Sequence, residues 1–236
     1  MIQGQRAIIA GPLHHYLCHV LRLRKGDRLL LVDGAIGTEY DGAITGFSSD
    51  EVTVEITGTR PAADSRVPRL VQVHGLSRRT KSELVLQKST ELGVDWLLPA
   101  LCHRSVSRPR EPARKLERWQ QIVTDAARQC GRSTLPRISP AAPLEQALQQ
   151  SCGSADLCLL ASPGGRSLAE LAPRIASPRT RCIALAVGPE GGFTEEEERC
   201  AVGLGFEPVN LGPLVLRTET AAVVLLALVA HLAGRL

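Results

Sequence analysis

Six apolar residues, Cys182-Ile183-Ala184-Leu185-Ala186-Val187, run straight into Gly188-Pro189-Glu190-Gly191-Gly192-Phe193 and then into a helix start at Thr194. A short apolar run without alternation, closed by Gly-Pro, reads as a strand covered on both faces. That points to a parallel sheet with helices on each side. Thr194 and Glu197 have capping-box spacing, and Glu195, Glu196, Glu197 and Glu198 complement the positive end of the helix dipole. In open α/β sheets ligands bind at such strand ends, and glycines let backbone approach a ligand closely. The segment is also compatible with an ordinary βα turn. It lacks the Gly-Lys-Ser/Thr of a phosphate loop and the GxGxxG of a dinucleotide loop. Its glutamates would repel phosphate, so a neutral or cationic ligand fits better.

The same alternation extends back to residue 69. Residues 70–75, 95–100, 156–161 and 206–211 read as strands, and 80–92, 112–130 and 218–232 as helices. In the first of these helices Leu84, Lys88 and Leu92 share a face and Gly93 is the stop. In the second, Leu116, Trp119, Val123, Ala126 and Cys130 form one stripe. Repeated β–α units imply a mainly parallel sheet with helices on both faces. Residues 28–32, 39–47 and 51–57 read instead as short strands, punctuated by Gly26-Asp27, Asp33-Gly34 and Asp41-Gly42. They suggest a small barrel or sandwich. The polar stretch 59–68 separates the two patterns, giving domains 1–68 and 69–236.

Lys+Arg is 28 and Asp+Glu is 24, a net charge of +4 in 236 residues. This is compatible with a nucleic-acid partner without demonstrating one. All but four of the cations are arginines, which suits phosphate and base edges but also follows from a GC-rich genome. Seven scattered cysteines without CxxC spacing argue against a zinc site or redox dithiol, and Cys158 reads as a small packed hydrophobe. No signal-peptide pattern opens the chain, so the expected compartment is the reducing cytoplasm. The longest apolar run, 221–230, is well short of the ~20 residues of a membrane span.

A second strand–turn–helix segment is Asn210-Leu211-Gly212-Pro213-Leu214-Val215-Leu216-Arg217-Thr218-Glu219-Thr220-Ala221. A cap with a salt bridge explains Arg217 and Glu219 alone, but not the whole Gly-Pro-Leu-Val-Leu loop. Together with Lys88-Ser89-Thr90-Glu91-Leu92-Gly93-Val94, these two segments resemble the RsmE-type family of 16S ribosomal RNA uracil-N3 methyltransferases. Arg104-Ser105 and Ala126-Ala127-Arg128-Gln129-Cys130-Gly131-Arg132 are similar too. So is His15-Tyr16-Leu17-Cys18-His19-Val20-Leu21-Arg22-Leu23-Arg24-Lys25-Gly26-Asp27. The chain departs from the family pattern at Ala7-Ile8-Ile9, where aromatic residues are usual, and at Leu214-Val215, where a basic residue is lost.

The resemblance implies an N-terminal PUA-like β-barrel and a C-terminal SPOUT domain with a parallel sheet and a deep trefoil knot. It implies S-adenosylmethionine as cofactor, no metal, a homodimer, and 16S rRNA of the small ribosomal subunit as partner. The implied cofactor residues are Leu160, Ala161, Val187, Gly188, Pro189, Glu190, Gly191, Leu211, Gly212, Leu216, Arg217 and Thr218. A side chain at Gly191 is expected to block the cofactor. His15, Arg22, Arg24, Lys25, Arg104 and Arg108 are the implied RNA contacts. Arg217 and Glu219 are the candidate catalytic pair: Arg217 as a charge stabiliser at a uracil oxygen, Glu219 as proton acceptor or as the residue that orients Arg217. Two alternatives stay open on the sequence: a ribose 2′-O-methyltransferase of the same superfamily, and a non-catalytic RNA-binding protein.

Overall fold

The computed structural model describes residues 2–33, 38–61, 68–106 and 111–236. The chain divides into two compact units, residues 1–64 and 65–236. The division falls inside the polar stretch that the sequence marks as a boundary.

The first unit is a five-stranded antiparallel sheet. Its strands are β1 (Ile2–Gln3), β2 (Arg6–Ala10), β3 (Arg28–Asp33), β4 (Thr38–Phe47) and β5 (Glu51–Pro61), in the order β1-β2-β5-β4-β3. The alternation of Val52 and Val54 buries both beside Ile44 and Ala7, as a period of two requires. Between β2 and β3 lie a short helix, α1 (Pro12–His15), and a π-helical turn over Tyr16–Val20. Neither of these, nor β1 and β2, follows from the alternation that marks the other three strands.

The second unit is a seven-stranded parallel sheet. Its elements in chain order are β6 (Arg69–Gly75), α2 (Arg79–Glu91), β7 (Trp96–Leu101), α3 (Pro112–Gln129), β8 (Arg137–Ile138), β9 (Ala142–Pro143), α4 (Leu144–Cys152), β10 (Leu157–Ser167), α5 (Leu168–Ile175), β11 (Cys182–Val187), α6 (Glu195–Gly203), β12 (Phe206–Asn210) and α7 (Thr218–Leu232). The strand order is β12-β10-β11-β6-β7-β8, with β9 also beside β7. β11 is buried at every position. Ile183 and Leu185 join one core with residues of α2, α3, α5 and α7, while Ala184 and Ala186 join another with residues of α4 and α6. Helices therefore cover both faces, which is why this strand shows no alternation.

Two sequence expectations change. On α2 the residues turned inward are Ser82, Val85, Leu86, Ser89 and Thr90, and Leu84 is exposed. The Leu84–Lys88–Leu92 stripe is not the packing face, because small hydroxyl residues seat this helix against a polar side chain. Gln72 on β6 accepts a hydrogen bond from the Ser89 hydroxyl and donates to the Ala222 carbonyl (3.0 Å). Cys158 is buried, but its sulfur is joined to Cys152 in a disulfide.

One polar tie closes the unit. Arg235, with a 3% exposed side chain, pairs with Asp95 at 2.6 Å and donates to the carbonyls of Pro68 (2.8 Å) and Gly93 (2.7 Å). Removing one partner of such a pair leaves a buried charge and acceptors unmet. Arg235→Ala is expected to destabilise the unit by about 3–5 kcal/mol, read from denaturant unfolding. A loss below about 1 kcal/mol, the range of exposed pairs, contradicts the tie. No helix among the described residues is long and apolar enough to cross a membrane.

Candidate cofactor site

All strands of the second unit's sheet run the same way, so their C-terminal ends share one edge. The irregular middle of β10 and the loops that leave β11 and β12 there enclose a cavity of about 480 Å³. This is within the range of small-molecule and cofactor sites. Its wall is built from residues 161–163, 187–193, Val209 and 211–216, with Thr218, Ala221, Arg104 and Glu198.

The first loop is held from three sides. Thr194 caps α6 through the Glu197 amide (3.2 Å) and Glu197 answers to the Thr194 amide (2.8 Å), the reciprocal capping box read from the sequence. Glu197 also accepts from the His103 amide at 2.7 Å. The Arg104 guanidinium donates to the carbonyls of Gly191 (2.8 Å) and Phe193 (3.2 Å). Beneath the loop, β6 ends at Gly75, where a Cβ would lie 2.6 Å from the nitrogen of Pro189 and 2.9 Å from the carbonyl carbon of Gly188. The second loop turns at Gly212 (φ +109°), a conformation suited to glycine. Asn210 braces it, accepting from the Gly212 amide (3.2 Å) and donating to the Gly165 carbonyl (2.6 Å). The two loops meet where the Thr218 hydroxyl donates to the Gly188 carbonyl.

Of the residues the sequence points to, Ala161, Val187, Gly188, Pro189, Glu190, Gly191, Leu211, Gly212, Leu216 and Thr218 lie on the cavity wall. Leu160 does not: it is wholly buried inside β10. Arg217 is exposed, between two wall residues, and makes no ion pair among the described residues. Glu219 turns away from Arg217 to the Lys81 ammonium of α2, 3.3 Å distant. Burial pushes the Glu219 carboxyl up, but its own backbone amide, Lys81 and Arg217 together hold it below the usual carboxylate range. Arg104 serves the loop rather than standing free. A Cβ on Gly191 would meet the Arg104 stem at 3.1 Å, so the obstacle there is first a flexible side chain. Sequence reasoning missed the wall residues Ser162, Pro163, Phe193, Glu198, Val209 and Ala221, and the close approach at Gly75. The Gly-Pro pair of the loop signals a tight turn, but nothing local to Gly75 signals its distant neighbour.

The site fits S-adenosylmethionine on its own chemistry. Two carboxylates, Glu190 and Glu198, stand on the wall, which favours a cationic ligand over a phosphate. The glycine-rich backbone and the apolar Val187, Val209, Leu211 and Leu216 offer hydrogen-bonding edges and a surface for a flat base.

In the first unit, His15, Arg22, Arg24 and Lys25 are all exposed. Their segment is shaped by the Asp27 carboxylate, which accepts from the Arg24 amide at 2.7 Å. Arg22 takes a left-handed backbone (φ +53°), uncommon for a residue with a Cβ. Arg22, Arg24 and Lys25 make no ion pair among the described residues. Arg108 lies outside them.

A cofactor cavity at the open edge of a parallel sheet, in a chain whose first unit exposes several cations, suits a transferase that acts on nucleic acid. The RNA methyltransferase domain family matches residues 64–230, and the RNA methyltransferase PUA domain family matches residues 11–57. The ribosomal RNA small subunit methyltransferase E of Synechocystis sp. is 35% identical over 216 residues, 90% of this chain and 69% of that one. That of Bacillus subtilis is 29% identical, covering 94% and 89%. The crystal structure of ribosomal RNA small subunit methyltransferase E from Neisseria gonorrhoeae, bound to S-adenosyl methionine, superposes with a TM-score of 0.84. It is 31% identical and covers 98% of this chain and 94% of that one. The chain belongs to the small-subunit ribosomal RNA methyltransferase E family of RNA methyltransferases.

Proposed function

We propose that this protein methylates N3 of a uridine in 16S rRNA of the small ribosomal subunit. Unit 1–68 gathers the RNA, and unit 69–236, a trefoil-knotted SPOUT domain, performs the transfer. The observation that carries the reading is the pair of glycine-rich loops joined by Thr218 and Gly188 around a cavity, with the unpaired Arg217 next to that joint. The named substrates of its relatives supply the RNA class. A ribosomal RNA substrate supports a cytoplasmic location. Exposed Leu214, Val215 and Leu228 support a homodimer.

When bound, S-adenosylmethionine supplies a methyl group on a cationic sulfur. Residues 188–192 and 211–216 would hold it, with their backbone groups open to its base. Uracil N3 carries a proton and is a poor nucleophile until that proton leaves. N3 lies on the Watson–Crick edge, so the base must be unpaired or flipped out. Arg217, always charged, stabilises the negative charge that deprotonation places on a uracil oxygen. Glu219, held ionised by Lys81, is a weak base. It fixes the start of α7 and thereby Arg217, and the N3 proton passes to solvent.

The test is transfer of labelled methyl to small subunits from cells lacking the protein, followed by nuclease digestion and mass analysis. Label on the base as N3-methyluridine is expected. Label on a ribose 2′-oxygen, or no transfer with intact RNA binding, overturns the reading. The RNA surface has its own check. Replacing Arg22, Arg24 and Lys25 together by alanine should weaken RNA binding and lower the slope of log affinity against log salt by about 2–3. Cofactor affinity should be unchanged. A slope equal to that of the unsubstituted protein removes these residues from the interface.

A further inference from the structure

Under the first loop lies a polar group that the mechanism does not use. His74, next to Gly75 on β6, is 2% exposed, and neither ring nitrogen has a hydrogen-bond partner. Its neighbours in register on β7 and β11 are the apolar Pro99 and Val187. Two residues earlier on the same strand, Gln72 reaches α7 and α2, so His74 faces the same two helices. Burial pushes its imidazole down to about 4, against the pull of Glu190 from the first loop and Glu219 from α7. From α2 comes Lys81, whose ammonium lies 3.3 Å from Glu219 and 3.8 Å from Glu190. The Arg78 amide also donates to Glu190 at 3.0 Å, and Arg217 adds its field at Glu219.

Two carboxylates, one at each cofactor loop, thus share one ammonium beside an uncharged imidazole. Carboxylates that share a site repel each other without a counter-charge, and leaving the mostly buried Glu219 unpaired is costly. Because Glu190 belongs to the first loop and Glu219 to the first turn of the helix that the second loop enters, the cation between them also fixes how those loops meet. We propose that Lys81 is a positioning residue for methyl transfer: the shared counter-ion that locks the two cofactor loops together, with His74 as the latent cation behind it. The proposal rests on the assignment of the cofactor to these loops.

The experiment is calorimetric binding of S-adenosylmethionine between about pH 5.5 and about pH 8.5, the window in which an imidazole set free of its depression titrates. The proteins are the wild type, Lys81→Arg, Lys81→Met and the double variant Lys81→Met/His74→Gln, each checked by thermal melting. Wild type and Lys81→Arg are expected to bind with affinity flat across this window, since Lys81 holds Glu219 below the usual carboxylate range and burial keeps His74 neutral. Lys81→Met should bind about tenfold more weakly at the alkaline end and recover as pH falls. The sign follows from the charges: two uncompensated carboxylates raise the affinity of His74 for a proton, and the imidazolium then replaces the ammonium. The double variant should lack the recovery. A lysine that only packs would give a loss equal at every pH. That result, no loss, or a recovery that survives in the double variant overturns the proposal. If Lys81→Met does not fold, Lys81→Gln is read by the same outcomes. Failure of the wild type to bind the cofactor at any pH sinks the site assignment itself, and the proposal with it.

Discussion

Arg217→Ala is expected to lower turnover by on the order of 10²–10³, the loss seen when one donor to a developing oxyanion is removed, with much smaller change in cofactor affinity. The guanidinium is exposed at the start of α7, between two residues of the cavity wall, and no carboxylate of the described residues neutralises it. Glu219 is engaged elsewhere, with Lys81. The charge is therefore free to act on a substrate. Arg217→Lys should rescue poorly, because a point charge does not reproduce a planar fork. Single-turnover rates at saturating cofactor, measured beside calorimetric affinities, decide the matter. An intact saturated rate with lost affinity shows that Arg217 only supports the loop.

Gly75→Val should abolish cofactor binding at a position outside the cavity wall. The added Cβ falls 2.6 Å from both the nitrogen and Cδ of Pro189. These are main-chain and ring atoms that cannot swing aside, unlike the Arg104 stem that a Cβ at Gly191 would meet. Overpacking costs about 1–3 kcal/mol or more, and here the relief available is displacement of the loop. A fall in affinity of roughly 10²-fold or greater is expected, with β6 still paired to β7 and β11. Gly191→Ala should cost less, since a few tenths of an ångström from Arg104 suffices. Calorimetry on both variants checks the ranking, and the reverse order contradicts it.

Much of the second unit was legible because its signals are local. The run 182–187, the Thr194–Glu197 box and the helix of residues 218–232 each carry their own start, period or stop, and the structure has them at the same places. α5 went unread although its signal was present: Ser167 and Glu170 form a second capping box. The helix it opens is short and contains Pro173, which weakens the periodic pattern. The site was half legible. Its loops announce themselves through Gly-Pro turns, but the wall residues Ser162 and Pro163 lie on a stretch of β10 whose register shifts between Ala161 and Arg166. The inward face of α2 was misread because Ser82, Ser89 and Thr90 pack there through polar partners. An apolar stripe is a guide only where the facing surface is apolar. Lys81 and Glu219 are far apart in the chain, and no spacing rule connects them.

The middle of the sheet sets the tempo of folding. β6 opens the second unit, yet its neighbour on one side is β11, and its Gln72 reaches Ala222, 150 residues further along. Contacts between such distant segments form only after a large loss of chain entropy, so they come late and slowly. The end of β6 supports the first loop from beneath, and the cavity's walls follow β11 and β12. A cavity able to hold the cofactor is therefore expected to form late: on refolding, cofactor binding should return with the slowest phase of the second unit, and its return in an earlier phase contradicts this.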